Sequence, residues 1–218
     1  DRNQYDLNRL APVGFKEAIR SLKKRGVSVL LHLNPWDSGT RPEGVEDTVA
    51  MIQIVKEFEA DGFNGDTMEL VPESYWTESL KQKWPTAIEP ELGGTLEMLN
   101  WATMGWGYWN WEYSHIPVVD KWKWFEPRRM THVCNRWAKE RTDDIQHAWF
   151  NGDGYESWEN VWGTWNGVTD RDGELVRRYS ALSRFFGSRG FLISSGWQPH
   201  FPVLHPVDIF AKIGRAHV

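Results

Sequence analysis

The 218-residue sequence predicts an α/β fold, a partial (β/α)8 TIM barrel of about six βα units whose first two strands fall outside the chain. Three observations lead there. Short apolar runs of strand length alternate with amphipathic helical patterns, which is the signature of βαβ crossovers around a parallel sheet. The runs are nearly continuous, as in strands buried on both faces. Nearly every run also ends in polar or acidic residues, as barrel strands do where they converge on one open face. A doubly wound sheet is the alternative, but its strand ends would not all meet at one site.

The elements follow in order. Phe15, Ile19 and Leu22 keep helical spacing, and Gly26 stops that helix. VSVLLHLN (27–34) is the first strand, and PWDSGTRPEG (35–44) is a loop by its proline and glycine content. Val45, Val49, Ile52, Val55 and Phe58 mark a second helix, followed by the strand GFNGD (62–66). PESYWTESLKQKW (72–84) reads as a helix and TAIEPE (86–91) as a strand. TLEMLNWATM (95–104) is helical in pattern, with Thr95 as its N-cap. KWKWFE (121–126) alternates like a strand, and MTHVCNRWAKERT (130–142) reads as a helix. IQHAWFNG (145–152) reads as a strand, ELVRRYSALSRFFG (174–187) as a helix and FLIS (191–194) as the last strand. The barrel domain therefore covers 1–195, and the Pro-rich, then β-like 196–212 begins a β-rich C-terminal domain. Residues 213–218, IGRAHV, match one reading frame of a common sequencing-adapter oligonucleotide and take no part in the expected fold.

Composition narrows the function. A net charge of −5, with no lysine or arginine cluster interleaved with aromatics, argues against a nucleic-acid partner. Lys23-Lys24-Arg25 closes a helix, where cations favour the helix dipole. No apolar run approaches the roughly 20 residues of a membrane span, so no membrane partner is expected. The single cysteine, Cys134, rules out an intrachain disulfide and a cysteine-based zinc site, and it reads as a small buried hydrophobe on a helix. His32, His115, His132 and His147 form no paired metal-ligand spacing, so no metal and no cofactor are expected.

The 15 tryptophans exceed what a core of this size needs. Their flat apolar faces suit the C–H faces of sugar rings, so a carbohydrate is the expected substrate. Trp36, Trp106, Trp109 and Trp158 lie in strand-to-helix loops and are the candidates to face it.

The strand ends supply the chemistry. They bring Asn34, Trp36 and Asp37, then Asp66, then Glu89 and Glu91, then Glu126 and Arg128, and finally Asn151, Asp153, Glu156 and Glu159. Paired carboxylates among tryptophans fit glycoside hydrolysis, in which one carboxyl protonates the leaving oxygen and the other attacks C1 or activates water. Asp66 follows Gly65, which admits close approach, and Thr67 is placed to orient it. This makes Asp66 the candidate nucleophile. Glu126, two strands away, is preferred as acid/base over Glu89 on the adjacent strand, and Glu159 is a third candidate.

DGFNGDTM (61–68) resembles the strand-end nucleophile motif of retaining barrel glycosidases, the α-amylase and α-galactosidase superfamilies. The resemblance implies that Asp66 forms the glycosyl-enzyme intermediate. The α-galactosidase pattern then makes Glu126 the acid/base, and the α-amylase pattern makes it Glu89. Two departures bear on linkage specificity: Asn64 stands where the α-amylase motif has arginine, and the α-galactosidase acid/base is usually aspartate. The stretches EPELGGTLEMLNWATMGWGYWNWEY, WFEPRRMTHVCNRWAKERTDD and FNGDGYESWENVWGTWNG resemble a less familiar group of barrel proteins, some joined to a sulfatase-modifying-factor domain. That resemblance implies a fused partner domain of this kind. The other readings are a catalytically silent sugar-binding barrel and a barrel lyase. No lysine stands at any of these strand ends, which argues against a Schiff-base version of the lyase.

Overall fold

Apolar residues at helical spacing, each set followed by a short apolar run, fix the first half of the molecule. In a computed structural model, helix α1 spans Phe15–Lys24, with Lys23 and Lys24 in its last turn. Gly26 follows at φ 80°, a left-handed conformation in which a side chain is strained. Strand β1 is Leu30–Leu33, helix α2 Asp47–Glu57, strand β2 Gly62–Gly65, helix α3 Glu73–Lys81 and strand β3 Ala87–Pro90. The structure describes residues 12–37, 39–91, 94–107, 120–134, 140–156, 160–161, 164–165, 167–193, 198–200, 203–204, 207–208 and 211–213. The chain divides into two compact units, 1–105 and 106–218.

In the first unit, β1, β2 and β3 form a parallel sheet in that order. Side chains alternate between its faces. Leu31, Leu33, Phe63 and Ile88 are buried and join Ile19, Ile52, Val55 and Tyr75 in one apolar cluster. The Phe63 and Tyr75 rings pack 5.1 Å apart. Gly62 permits the close pairing of β2 with β3, since a Cβ there would lie 2.1 Å from the Ala87 carbonyl oxygen. The leading end of β2 is pinned by Asp61. Its carboxylate accepts from the Val29 N–H at 2.9 Å and pairs with Lys23 Nζ at 2.9 Å. Its backbone bonds both Val29 and Ala87, at 2.8 Å each.

The expected six-unit barrel is not what forms. Among the described residues of the first unit the parallel sheet has three strands, and strand β4 (Met104–Gly107) belongs to a separate sheet, with strands β5 (Met130–Cys134) and β6 (Gly154–Glu156) in the order β4-β5-β6. Between β3 and β4 the helix expected over 95–104 is reduced to a single 3-10 turn, Glu97–Asn100. Among the described residues there, no full crossover helix is present to pack a fourth strand onto the first sheet.

In the second unit several elements are exchanged. Residues expected to form a strand at 121–126 form a short helix, α4 (Lys121–Phe125), because the Asp120 carboxylate accepts from the Trp122 and Lys123 N–H groups at its N-terminus. The helix expected at 130–142 is instead strand β5 (Met130–Cys134), paired in parallel with β6 (Gly154–Glu156). Cys134 is fully buried there, on a strand. The strand expected at 145–152 is helix α5 (Thr142–Asn151), closed by Gly152 in the left-handed conformation. Helix α6 (Asp170–Gly187) forms where helical spacing places it, and 191–193 is a 3-10 turn, not a last strand. Further along, Gln198–His200 pairs with Ala211–Ile213 and Val203–Leu204 with Val207–Asp208, both antiparallel.

Candidate functional site

The face of the first sheet opposite the apolar cluster carries a row of polar side chains. In register, His32 on β1 lies beside Asn64 on β2, which lies beside Glu89 on β3. Burial increases along the row: the His32 side chain is 55% exposed, Asn64 is half-buried and Glu89 is 4% exposed. Asn64 Nδ2 donates to Glu89 Oε2 at 3.0 Å. Two residues further along each strand the alternation repeats with Asn34, Asp66 and Glu91. Asp66 stays in the ladder through its N–H, which donates to the Leu33 carbonyl at 2.9 Å. Its Oδ2 lies 3.8 Å from His32 Nε2, which places the two side chains on the same face.

The segments just beyond the three strands are hydrogen-bonded to one another. The Glu91 N–H donates to the Met68 carbonyl, and Glu91 Oε2 accepts from the Thr67 N–H at 2.5 Å. Thr67 has φ 59°, a left-handed conformation that costs a β-branched residue about 1–3 kcal/mol. Its hydroxyl accepts from the Trp36 indole N–H at 3.2 Å, so it braces Trp36 and not Asp66. Trp36 is 56% exposed, whereas Asn34 and Asp37 are buried and joined by an Asp37 N–H to Asn34 carbonyl bond of 3.1 Å.

Asn34, Trp36, Asp37, Asp66 and Glu89 therefore gather at one end of the first sheet. Asp66 and Glu89 sit on adjacent strands one diagonal step apart, roughly 8 Å between backbones by strand geometry. Retention needs carboxyls roughly 5–5.5 Å apart and inversion roughly 6.5–9.5 Å, so the two side chains must lean together for the retaining route.

The second unit holds the remaining described candidates, and their partners differ from those of a strand-end site. Glu126 caps a helix end and forms a two-point ion pair with Arg128, with both N···O distances 2.8 Å. The Arg128 guanidinium holds the Glu126 carboxyl at about 2, well below the usual carboxylate range. A general acid at neutral pH needs the opposite shift. Asn151 is structural: its Oδ1 accepts from the Asp120 N–H at 3.0 Å, and its Nδ2 donates to the His147 carbonyl at 2.9 Å. Trp106 is buried, Asp153 lines a small cavity with Trp149, Tyr155 and Tyr179, and Glu156 ends β6. Trp109, Trp158 and Glu159 lie outside the described residues.

Two residues of the polar face, His32 and Asn64, are not among the expected site residues, whereas Glu91 is expected at a strand end and Thr67 beside Asp66. A signal for both is present in the sequence. His32-x-Asn34, Asn64-x-Asp66 and Glu89-x-Glu91 are three polar pairs at the two-residue strand period. Among the described residues, no group of three or more metal-ligating side chains is placed to hold an ion, and no helix is long and apolar enough to cross a membrane. No family model matches the chain, and neither a curated protein nor a solved structure matches it.

Proposed function

We propose that the chain carries the catalytic carboxylates of a carbohydrate-active hydrolase that cleaves glycosidic bonds with retention, with Asp66 as nucleophile and Glu89 as acid/base. One observation carries the reading: the polar row on the first sheet sets Asp66, just past β2, and the buried Glu89 on neighbouring strands, at the end of the sheet where Trp36 is exposed. In the first step an Asp66 carboxylate oxygen bonds C1 of the sugar while the Glu89 proton passes to the departing glycosidic oxygen. In the second step water attacks C1, Glu89 takes the water proton, and the Asp66 ester is released. Asn64 holds one Glu89 oxygen and so limits which oxygen faces the bond being cleaved. His32 stands beside Asp66, within reach of sugar hydroxyls.

The test is covalent trapping. The protein is incubated with activated fluorosugars of both anomeric configurations and examined by intact mass, then by peptide mapping. The expected result is a single adduct on the peptide containing Asp66, absent in Asp66→Asn. Glu89→Ala should lose turnover of glycosides with poor leaving groups, while activated aryl glycosides, which leave without a proton, still form the Asp66 ester that added azide then releases as the glycosyl azide. Full turnover by Asp66→Asn would overturn the assignment. Sugar binding with neither adduct nor turnover would point to a silent carbohydrate-binding protein.

A further inference from the structure

The loops beyond the three parallel strands are joined by two hydrogen bonds in series. Glu91, just past β3, accepts from the Thr67 N–H, and Thr67, just past β2, accepts from the Trp36 indole beyond β1. We propose that Glu91 is a positioning residue that, through Thr67, fixes Trp36 as the flat apolar platform of a sugar-ring subsite beside Asp66. The ligand in this proposal rests on the glycosidase reading, whereas the positioning itself does not.

Three physical points carry it. Thr67 is β-branched and sits in the left-handed region, a conformation that persists only when its surroundings hold it. The Glu91 carboxylate, 7% exposed, is anchored to supply that hold. Next, the Trp36 indole N–H is its sole polar group, and Thr67 occupies it. What Trp36 presents from its 56% exposed surface is therefore carbon and π-face, which suits the C–H face of a pyranose better than a hydrogen-bonding ligand. Finally, Thr67 directly follows Asp66, so the same turn that aims the platform also sets where the carboxylate leaves the strand. A ring stacked on Trp36 is thereby held in register with the candidate nucleophile.

The experiment uses the whole chain labelled with 5-fluorotryptophan, the Trp36 resonance being assigned by its loss in Trp36→Phe. Glu91→Ala and Thr67→Val are expected to shift or broaden that resonance and leave the other tryptophan lines in place. Glu91→Gln and Thr67→Ser keep the acceptor oxygens and should leave it near its wild-type position. With 4-methylumbelliferyl α- and β-glycosides of glucose, galactose, mannose and xylose as probes, the first pair should raise KM about tenfold with kcat within threefold. The conservative pair should stay within twofold on both. If Glu91→Ala does not fold, Thr67→Val carries the test, because Thr67 is exposed and the change is nearly isosteric. A Trp36 line unmoved by either variant overturns the relay. A line that moves in the variants yet responds to none of the sugars, with none of the glycosides turned over, overturns the subsite together with the glycosidase reading. Turnover with no response at Trp36 overturns the subsite alone.

Discussion

Substituting Gly62 by alanine tests the link between sheet packing and the polar face. A Cβ at this position would lie 2.1 Å from the Ala87 carbonyl oxygen and 2.7 Å from its carbonyl carbon, both backbone atoms that no rotamer change can move. Gly62 does not have a positive φ, so the effect is purely steric. Real Cβ contacts essentially never fall below 3.0 Å, so β2 and β3 must separate by about 0.9 Å, the difference between 3.0 and 2.1 Å. Overpacking of this kind costs about 1–3 kcal/mol. The same displacement stretches the 3.0 Å bond between Asn64 and Glu89 beyond hydrogen-bonding range, a further loss of about 1 kcal/mol. Together these give about 2–4 kcal/mol, or roughly 30- to 700-fold faster amide exchange at 1.4 kcal/mol per decade. Hydrogen-exchange mass spectrometry on peptides from 60–91 reads this unit separately from the rest of the chain. Gly173→Ala is the control, in the interior of α6 with nothing within 4 Å of the added methyl, and it should stabilise that helix by about 0.5–1 kcal/mol. Exchange within threefold of wild type in Gly62→Ala would refute the argument that this glycine is required by the strand spacing.

Three other outcomes are expected. Burial pushes the Asp172 carboxyl up, but the Thr142 hydroxyl, the Arg141 N–H and Arg171 outweigh it and leave its pKa below the ordinary aspartate value. Its contribution is therefore present above about pH 4 and lost as pH falls below that. Asp172→Asn should cost about 1–3 kcal/mol at pH 7 and flatten the acid limb of urea stability, and an unchanged acid limb would contradict this. Cys134, fully buried, should resist a thiol-specific chromogenic reagent in the native protein and react once in denaturant, so rapid native labelling would place it elsewhere. Glu126→Gln should keep glycoside turnover within threefold, because Arg128 already occupies that carboxylate; a loss of tenfold or more would return Glu126 to the acid/base role.

The sequence was most legible where periodicity and punctuation agreed. Ile19 and Leu22 ending at Gly26, and Val49, Ile52 and Val55 leading into GFNG, place their helices and strands close to the observed ones. The failures share a cause in short elements whose local caps outweigh the apolar pattern. Trp122 alternates with Lys121 and Lys123 as a strand would, yet the Asp120 side chain supplies two N-terminal acceptor bonds and the segment winds into a helix. IQHAWFNG has strand-like apolar content, but Asp143 and Asp144 in the first turn and Gly152 at the end are helix boundaries, and those signals decide the outcome. MTHVC carries Thr131 and Val133, β-branched residues that suit the strand observed. The barrel expectation assumed that every strand joins one sheet, a tertiary property that no local pattern encodes. The site was half legible. Asp66 and Glu89 stand out as strand-end carboxylates, whereas the preference for Glu126 rests on taking its segment as a strand and on the resemblance to the α-galactosidase pattern.

Strand β2 is four residues long and has an aspartate immediately before and after it, with opposite fates. Asp61 is locked by Val29 and Lys23, while Asp66 keeps a carboxylate one-third exposed beside His32. Saturation mutagenesis across 61–66 should therefore separate into two phenotypes within six codons. If Asp66 is the proposed nucleophile, changes at the first aspartate should yield heat-sensitive protein that still turns over substrate when cold, and changes at the last should yield abundant, well-folded protein that is inert. A selection for thermal tolerance and a selection for catalysis would then draw their survivors from opposite ends of the same strand.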